Sequence, residues 1–293
     1  MNCSICPREC NIDRFSVKGI CNSTDKIRIA RAAPHYWEEP FISGTKGSGT
    51  VFFSGCNLGC VYCQNYEVSH AAFGKDITES ELMRIFDLLV EKGVHNLNLV
   101  TPTHYTPVIA KVLEKYNSPV PVVWNSSGYE KADSLKMLEG LVDIYLPDIK
   151  YFDSAPALKY SGAEDYFEYA SSAVLEMYRQ AGNLELDENG IAKKGIAIRH
   201  MVLPGNISQA VKVFGWVREN LPPETYISVM RQYTPFGKAV DMPPINRKLS
   251  TREYKIVKEK ILALGFENCC FQSKESSTEE FIPNFNLEGV DLL

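Results

Sequence analysis

From residue 51 onward, short apolar runs alternate with longer stretches of helical periodicity. Val51-Phe52-Phe53, Leu97 to Val100, Pro121 to Trp124, Val142 to Leu146, Gly195 to Leu203 and Tyr226 to Met230 are too short or too β-branched for helices and read as buried strands. Between them, helical spacing covers about 78–92, 106–116, 131–140, 164–181, 207–219 and 250–264. The first of these begins with Thr78 and Glu81, three residues apart, the sequence form of a capping box. A last apolar stretch, Asn268 to Gln272, reads as one more strand. Six or seven strand–helix units imply parallel strands joined by right-handed crossovers. The expected fold is α/β, a partial (β/α)6 TIM-like barrel, with chemistry at the C-terminal ends of its strands.

Residues 1–24 break this pattern. They lack apolar periodicity and hold Cys3, Cys6, Cys10 and Cys21. Such a segment needs a bound metal to organise it. Residues 43–49, Ser-Gly-Thr-Lys-Gly-Ser-Gly, read as a flexible link. The expected division is a cysteine-rich metal-binding segment, 1–43, and a barrel with a C-terminal extension, 44–293, the two separable.

Composition narrows the function. A chain of 293 residues suits one α/β barrel, and its net charge of −5 gives no footing for nucleic acid. No apolar run approaches a membrane span, and the polar, cysteine-rich start does not read as a secretory signal. The expected location is the cytoplasm, where thiols stay reduced. Nine cysteines there point to metal or redox chemistry.

The segment Ser54-Gly55-Cys56-Asn57-Leu58-Gly59-Cys60-Val61-Tyr62-Cys63-Gln64-Asn65 follows the first strand directly. Three thiolates spaced C-x3-C-x2-C on one loop can hold three corners of a [4Fe-4S] cluster, leaving one iron open to a small ligand. A structural zinc loop or buried cysteines are the plainer alternatives. The N-terminal group, spaced C-x2-C-x3-C-x10-C, offers four soft ligands for zinc or for a second iron–sulfur cluster. Cys269 and Cys270 read as core packing.

The CxxxCxYC loop resembles that of the radical S-adenosylmethionine (SAM) superfamily at every defined position. Asp148-Ile149-Lys150, Ile198 to Gly205, Gln64-Asn65 and the N-terminal Cys3-Ser4-Ile5-Cys6-Pro7-Arg8-Glu9-Cys10 sharpen the resemblance to pyruvate formate-lyase activating enzyme-like homologues. The resemblance implies a barrel of radical SAM type, a [4Fe-4S] cluster on Cys56, Cys60 and Cys63, and SAM chelated to the open iron. One electron then cleaves SAM, and the 5′-deoxyadenosyl radical abstracts a hydrogen atom. Implied partners are SAM, a reductant such as flavodoxin or ferredoxin, and a glycyl radical enzyme as protein substrate. Hydrogen abstraction from a small molecule or peptide is a second reading. An electron-transfer or scaffold protein without SAM chemistry is the third.

Where activating enzymes carry Gly-Gly-Glu at the end of the second strand, this chain has Thr101-Pro102-Thr103-His104. The expected SAM contacts are therefore Thr101, Thr103 and His104, with Asn125 and Ser127 after the third strand. Asp148 and Lys150, two apart at the fourth strand end, share a face, and Lys150 is the expected partner of the SAM carboxylate. Arg199 completes the expected catalytic pair with Lys150.

Overall fold

The computed structural model describes residues 2–276 and 283–291. Seven parallel strands form its spine: β2 (Ser48–Phe53), β4 (Leu97–Val100), β5 (Val122–Ser126), β6 (Ile144–Pro147), β8 (Ala192–Met201), β9 (Tyr226–Met230) and β10 (Cys269–Phe271), neighbours in that order. The crossovers run through α3 (Glu79–Glu91), α4 (Thr106–Lys115), α5 (Ala132–Leu135), α6 (Ser154–Ser161), α7 (Tyr166–Ala181), α8 (Ile207–Asn220) and α9 (Thr251–Leu262). Thr78 caps α3 through the expected box with Glu81, and Leu82, Ile85, Phe86 and Leu89 form its buried face. The expected helix over 131–140 is the short α5 followed by a 3-10 turn.

Three strands, β1 (Ile27–His35), β3 (Lys75–Ile77) and β7 (Glu185–Leu186), have no counterpart among the predicted ones. β1 (Ile27–His35) pairs antiparallel with β2 on one side and with β3 (Lys75–Ile77) on the other, so it extends the edge of the parallel sheet. Its register slips between Ile29 and Arg31, and that irregularity hides its alternation. Leu287 and Glu288 give the backbone contacts Leu287 N–H to Ala30 carbonyl and Ala32 N–H to Glu288 carbonyl. The helix α6 was also unread, because Pro156 sits in its first turn, where proline is tolerated.

The stretch 43–49 is not a flexible link. Ser43 ends the helical turn α1 (Pro40–Ser43), and Ser48 and Gly49 are the first, fully buried residues of β2. Residues 27–43 are thereby built into the main sheet and its floor. Phe41 and Ile42 fill the N-terminal end of the barrel interior with Val123, Ile144, Leu146, Ala192 and Ala197. Because side chains alternate along a strand, the same inward faces continue to Asn125, Asp148 and Arg199. The barrel interior is thus apolar below and polar at its C-terminal end. Two short elements, α2 (Tyr66–Ser69) and β7 (Glu185–Leu186, paired with β8), complete the fold. Among the described residues, no helix is long and apolar enough to cross a membrane.

Candidate active site and its cysteine loop

The C-terminal ends of β2, β4, β5, β6, β8 and β9 surround a cavity of about 240 Å³. Cys56, Cys60 and Cys63 line it together with Asp148, Lys150 and Arg199. The cysteine loop leaves β2 through Gly55, whose φ of +85° only glycine adopts without strain. A Cβ there would stand 2.2 Å from Ser23 Oγ and 2.4 Å from the Cys21 carbonyl oxygen. The N-terminal segment therefore rests directly on the loop. Cys56 N–H donates to the Cys21 carbonyl at 3.1 Å. Arg8 donates to the Asn57 carbonyl at 2.8 Å and the Leu58 carbonyl at 3.1 Å, within the loop itself.

Burial and the neighbouring thiols push Cys56 up to about 12, and burial also raises Cys63. These thiols stay protonated until a metal supplies positive charge. No three of the described Cys, His, Asp and Glu side chains converge on one metal ion. A cubane attaches its thiolates to separate irons, so its ligands stand farther apart than those of one ion. Three thiols on one loop facing a cavity suit that donor set.

Beside them lies a buried charge network. Arg199 donates to Glu38 Oε1 at 2.8 Å and to Asn125 Oδ1 at 2.7 Å. Its Nε stands 2.9 Å from Asp148 Oδ1, an ion pair outside hydrogen-bond alignment. Lys150 Nζ donates to Asp148 Oδ2 at 2.6 Å, and Asn125 Nδ2 to Glu38 Oε2 at 2.9 Å. Burial works against the charge of Asp148, yet Arg199 and Lys150 together hold its carboxyl below the ordinary range. Burial likewise opposes the Lys150 ammonium, and Asp148 outweighs it.

Of the expected SAM contacts, Thr101, Asn125, Ser127, Asp148 and Lys150 do line the cavity. Thr101 holds a φ of +59°, unusual for a β-branched residue. Ser127 Oγ is buried without a hydrogen-bond partner, an unmet donor at a polar cavity. Thr103 and His104 are turned away from it. Thr103 Oγ1 donates to Glu130 Oε1 at 2.7 Å, and Glu130 also accepts from Trp124 Nε1 and Ser126 Oγ. His104 Nε2 lies 2.8 Å from the Ser54 carbonyl, and burial lowers the ring to about 3, so it is neutral. Both side chains brace the strand ends from behind. Their sequence position is right at the end of β4, but the left-handed turn at Thr101 and the 3-10 turn after it rotate them out.

Sequence reasoning missed Glu38 and Glu130. Two acids before Pro40, next to an apolar stretch, were the only sign of the first. Glu39 beside it is buried, accepts from Ser228 Oγ at 2.8 Å, and is raised to about 7 by that burial.

In the N-terminal segment all four cysteines are free thiols, with Cys6 and Cys21 buried. Cys21 Sγ and Cys10 Sγ lie 3.4 and 3.6 Å from where a Gly19 Cβ would stand. Cys6 is raised to about 11 by burial, with Cys21, Cys10 and Cys3 close enough to add to the shift. Glu9, Asn11 and Asn22, each next to a cysteine, hold positive φ.

Residues 43–155 match the 4Fe-4S single cluster domain family. The chain is 30% identical over 262 residues to "Uncharacterized protein MJ0674" of Methanocaldococcus jannaschii, covering 86% of this chain and 72% of that protein. "Uncharacterized protein MJ0808" of the same organism is 24% identical, with 83% and 74% covered. Among solved structures, Streptococcus suis SuiB aligns with a TM-score of 0.52 at 14% identity over 76% of this chain. The chain spans about half the length of SuiB, 48%. That likeness is one of fold. By its identity to MJ0674 over most of both chains, this protein belongs to the MJ0674 family, built on a partial TIM-like barrel.

Proposed function

We propose that this protein is a radical SAM enzyme. The observation that carries the reading is that the three cysteines of one loop open onto the same cavity as the Asp148–Lys150–Arg199 network. Cys56, Cys60 and Cys63 would hold the [4Fe-4S] cluster, and SAM would bind in the same cavity. The reduced cluster would supply one electron to cleave SAM to methionine and a 5′-deoxyadenosyl radical, which would take a hydrogen atom from the substrate.

The chain's own residues orient these groups. Lys150, fixed at 2.6 Å from Asp148 Oδ2, presents a positive charge to the SAM carboxylate. Ser127 Oγ, Thr101 and Asn125 provide neutral hydrogen bonds at the cavity wall. Arg199 locks Asp148 and Glu38 so that the wall does not rearrange when ligand enters.

The hydrogen donor expected from the resemblance is a glycine of a partner glycyl radical enzyme. The buried Glu38–Arg199 pair on the cavity wall favours a second reading, a small polar molecule or peptide. A flavodoxin or ferredoxin is the proposed electron source, the cytoplasm the proposed compartment, and zinc or a second iron–sulfur cluster the proposed occupant of Cys3, Cys6, Cys10 and Cys21. Anaerobic reconstitution with dithionite and SAM, read by mass spectrometry for 5′-deoxyadenosine, tests the reading. A reconstituted four-iron protein that binds no SAM and yields no 5′-deoxyadenosine would make it an electron carrier instead.

A further inference from the structure

From Tyr62 on the cavity wall, three hydroxyls form a line that runs back to the cysteine loop. Tyr62 Oη lies 2.7 Å from Tyr151 Oη, Tyr151 Oη 2.7 Å from Ser161 Oγ, and Ser161 Oγ donates to Cys60 Sγ at 3.1 Å. All three side chains are buried. Ser161 spends its proton on sulfur, so Tyr151 must donate to Ser161 and Tyr62 to Tyr151. The chain therefore has one direction, and each bond polarises the next.

Ser161 reaches Cys60 because α6 is stapled to the cysteine loop. Besides Asn57 and Leu58, Arg8 donates to the Ser161 carbonyl at 2.8 Å and to the Gly162 carbonyl. Val61 N–H donates to the Tyr160 carbonyl at 2.9 Å from the other side. One guanidinium from the cysteine-rich segment thus grips the loop and the end of the helix that carries the donor. A loop whose sole task was to present three thiols would need neither the relay nor the staple.

We propose that Ser161, supplied by the Tyr62–Tyr151 relay and positioned by Arg8, tunes the reduction potential of the cluster through its hydrogen bond to Cys60. The inference rests on the reading of Cys60 as a cluster ligand. A reduced cluster carries one more negative charge than the oxidised one. A donor at a ligand sulfur stabilises the reduced state more and raises the potential. Ser161 is a positioning residue for this purpose, since it touches the ligand sulfur and not the reacting atoms.

The test is an EPR-monitored redox titration of the anaerobically reconstituted full chain, without SAM, with dithionite as reductant. Ser161→Ala is expected to bind the cluster and to titrate at a more negative potential than the parent. Ser161→Thr, which keeps the hydroxyl, should return towards the parent value. Tyr151→Phe and Arg8→Ala should each shift the potential in the same sense but less. If Ser161→Ala does not take up the cluster, Tyr151→Phe decides alone, because it leaves Ser161 in place. Clusters in Ser161→Ala and Tyr151→Phe that titrate with the parent overturn the tuning and leave the SAM reading intact. A parent that assembles no four-iron cluster overturns the ligand assignment itself.

Discussion

The two cysteine groups offer the same ligands on opposite kinds of scaffold. Cys56, Cys60 and Cys63 sit on a loop that leaves a buried strand, with Tyr129 receiving Asn57 Nδ2 and α6 pressed against its far side. Cys3, Cys6, Cys10 and Cys21 sit on a segment with no helix or strand before Ile27. That segment is held by reaching outward: Arg14 to the His104 carbonyl, Ser134 Oγ to the Ile5 carbonyl, Lys131 to Glu9 and Arg8 to the loop. In the first group the fold itself places the three thiols. In the second, turns alone make no core, and the segment is placed by these outward bonds. The dependence is also mutual, since the ordered loop hangs part of its own backbone on that segment.

The sharpest way to break this contrast is at its ordered member. Cys60→Ala should abolish the barrel cluster's EPR signal and all SAM cleavage; an anaerobic preparation that keeps both would remove the loop from the chemistry. Gly55→Ala tests the seam between the groups. A methyl at φ +85°, 2.4 Å from the Cys21 carbonyl, should cost at least about 2 kcal/mol of stability in denaturant unfolding and loosen the N-terminal segment, read as faster proteolysis before Ile27. Cys3→Ser with Cys6→Ser should remove the N-terminal metal by elemental analysis. A flexible link at 43–49 predicts that the barrel cluster stays untouched. The Cys21–Cys56 and Arg8–Leu58 hydrogen bonds predict instead that it survives but bleaches faster in air, and the bleaching rate separates the two. Lys150→Ala should weaken SAM binding at least tenfold, about 1.4 kcal/mol, in calorimetric titration. Thr103→Ala should leave SAM affinity nearly unchanged, because its hydroxyl serves Glu130.

Glu39 gives a pH signature. Its carboxyl moves from 4.5 to about 7 on folding, through burial. A raised folded pKa means the native state holds the proton longer, so stability declines as pH rises from about 4.5 to about 7. Glu39→Gln should flatten that part of the stability–pH curve.

The barrel was legible because its strands are buried on both faces and read as apolar runs, such as Val122 to Trp124, while capping chemistry marked Thr78. The cysteine loop was legible because its ligands are local in sequence. Side-chain direction was not. Thr103 and His104 stand where ligand contacts belong, yet one unusual φ at Thr101 turns them aside. Glu38, Ser161 and Arg8 were invisible as site residues, since each reaches its partner across a long stretch of chain: 161 residues for Glu38 and Arg199, 101 for Ser161 and Cys60. The supposed link at 43–49 misled because glycine and serine in a buried strand look like those of a hinge until Asn96 is seen bonding Ser48.

The Arg8 staple carries a consequence for biosynthesis. A ribosome releases both cysteine groups within the first 63 residues, while the helix end that Arg8 grips follows about 150 residues after Arg8, 153 to Ser161. Until then the loop has no Ser161 at its back and Arg8 has nothing to span. The thiols are therefore exposed early, and the residues that pack behind the loop arrive late. Iron loaded on the nascent chain would be enclosed by folding, whereas iron loaded afterwards must enter through the cavity.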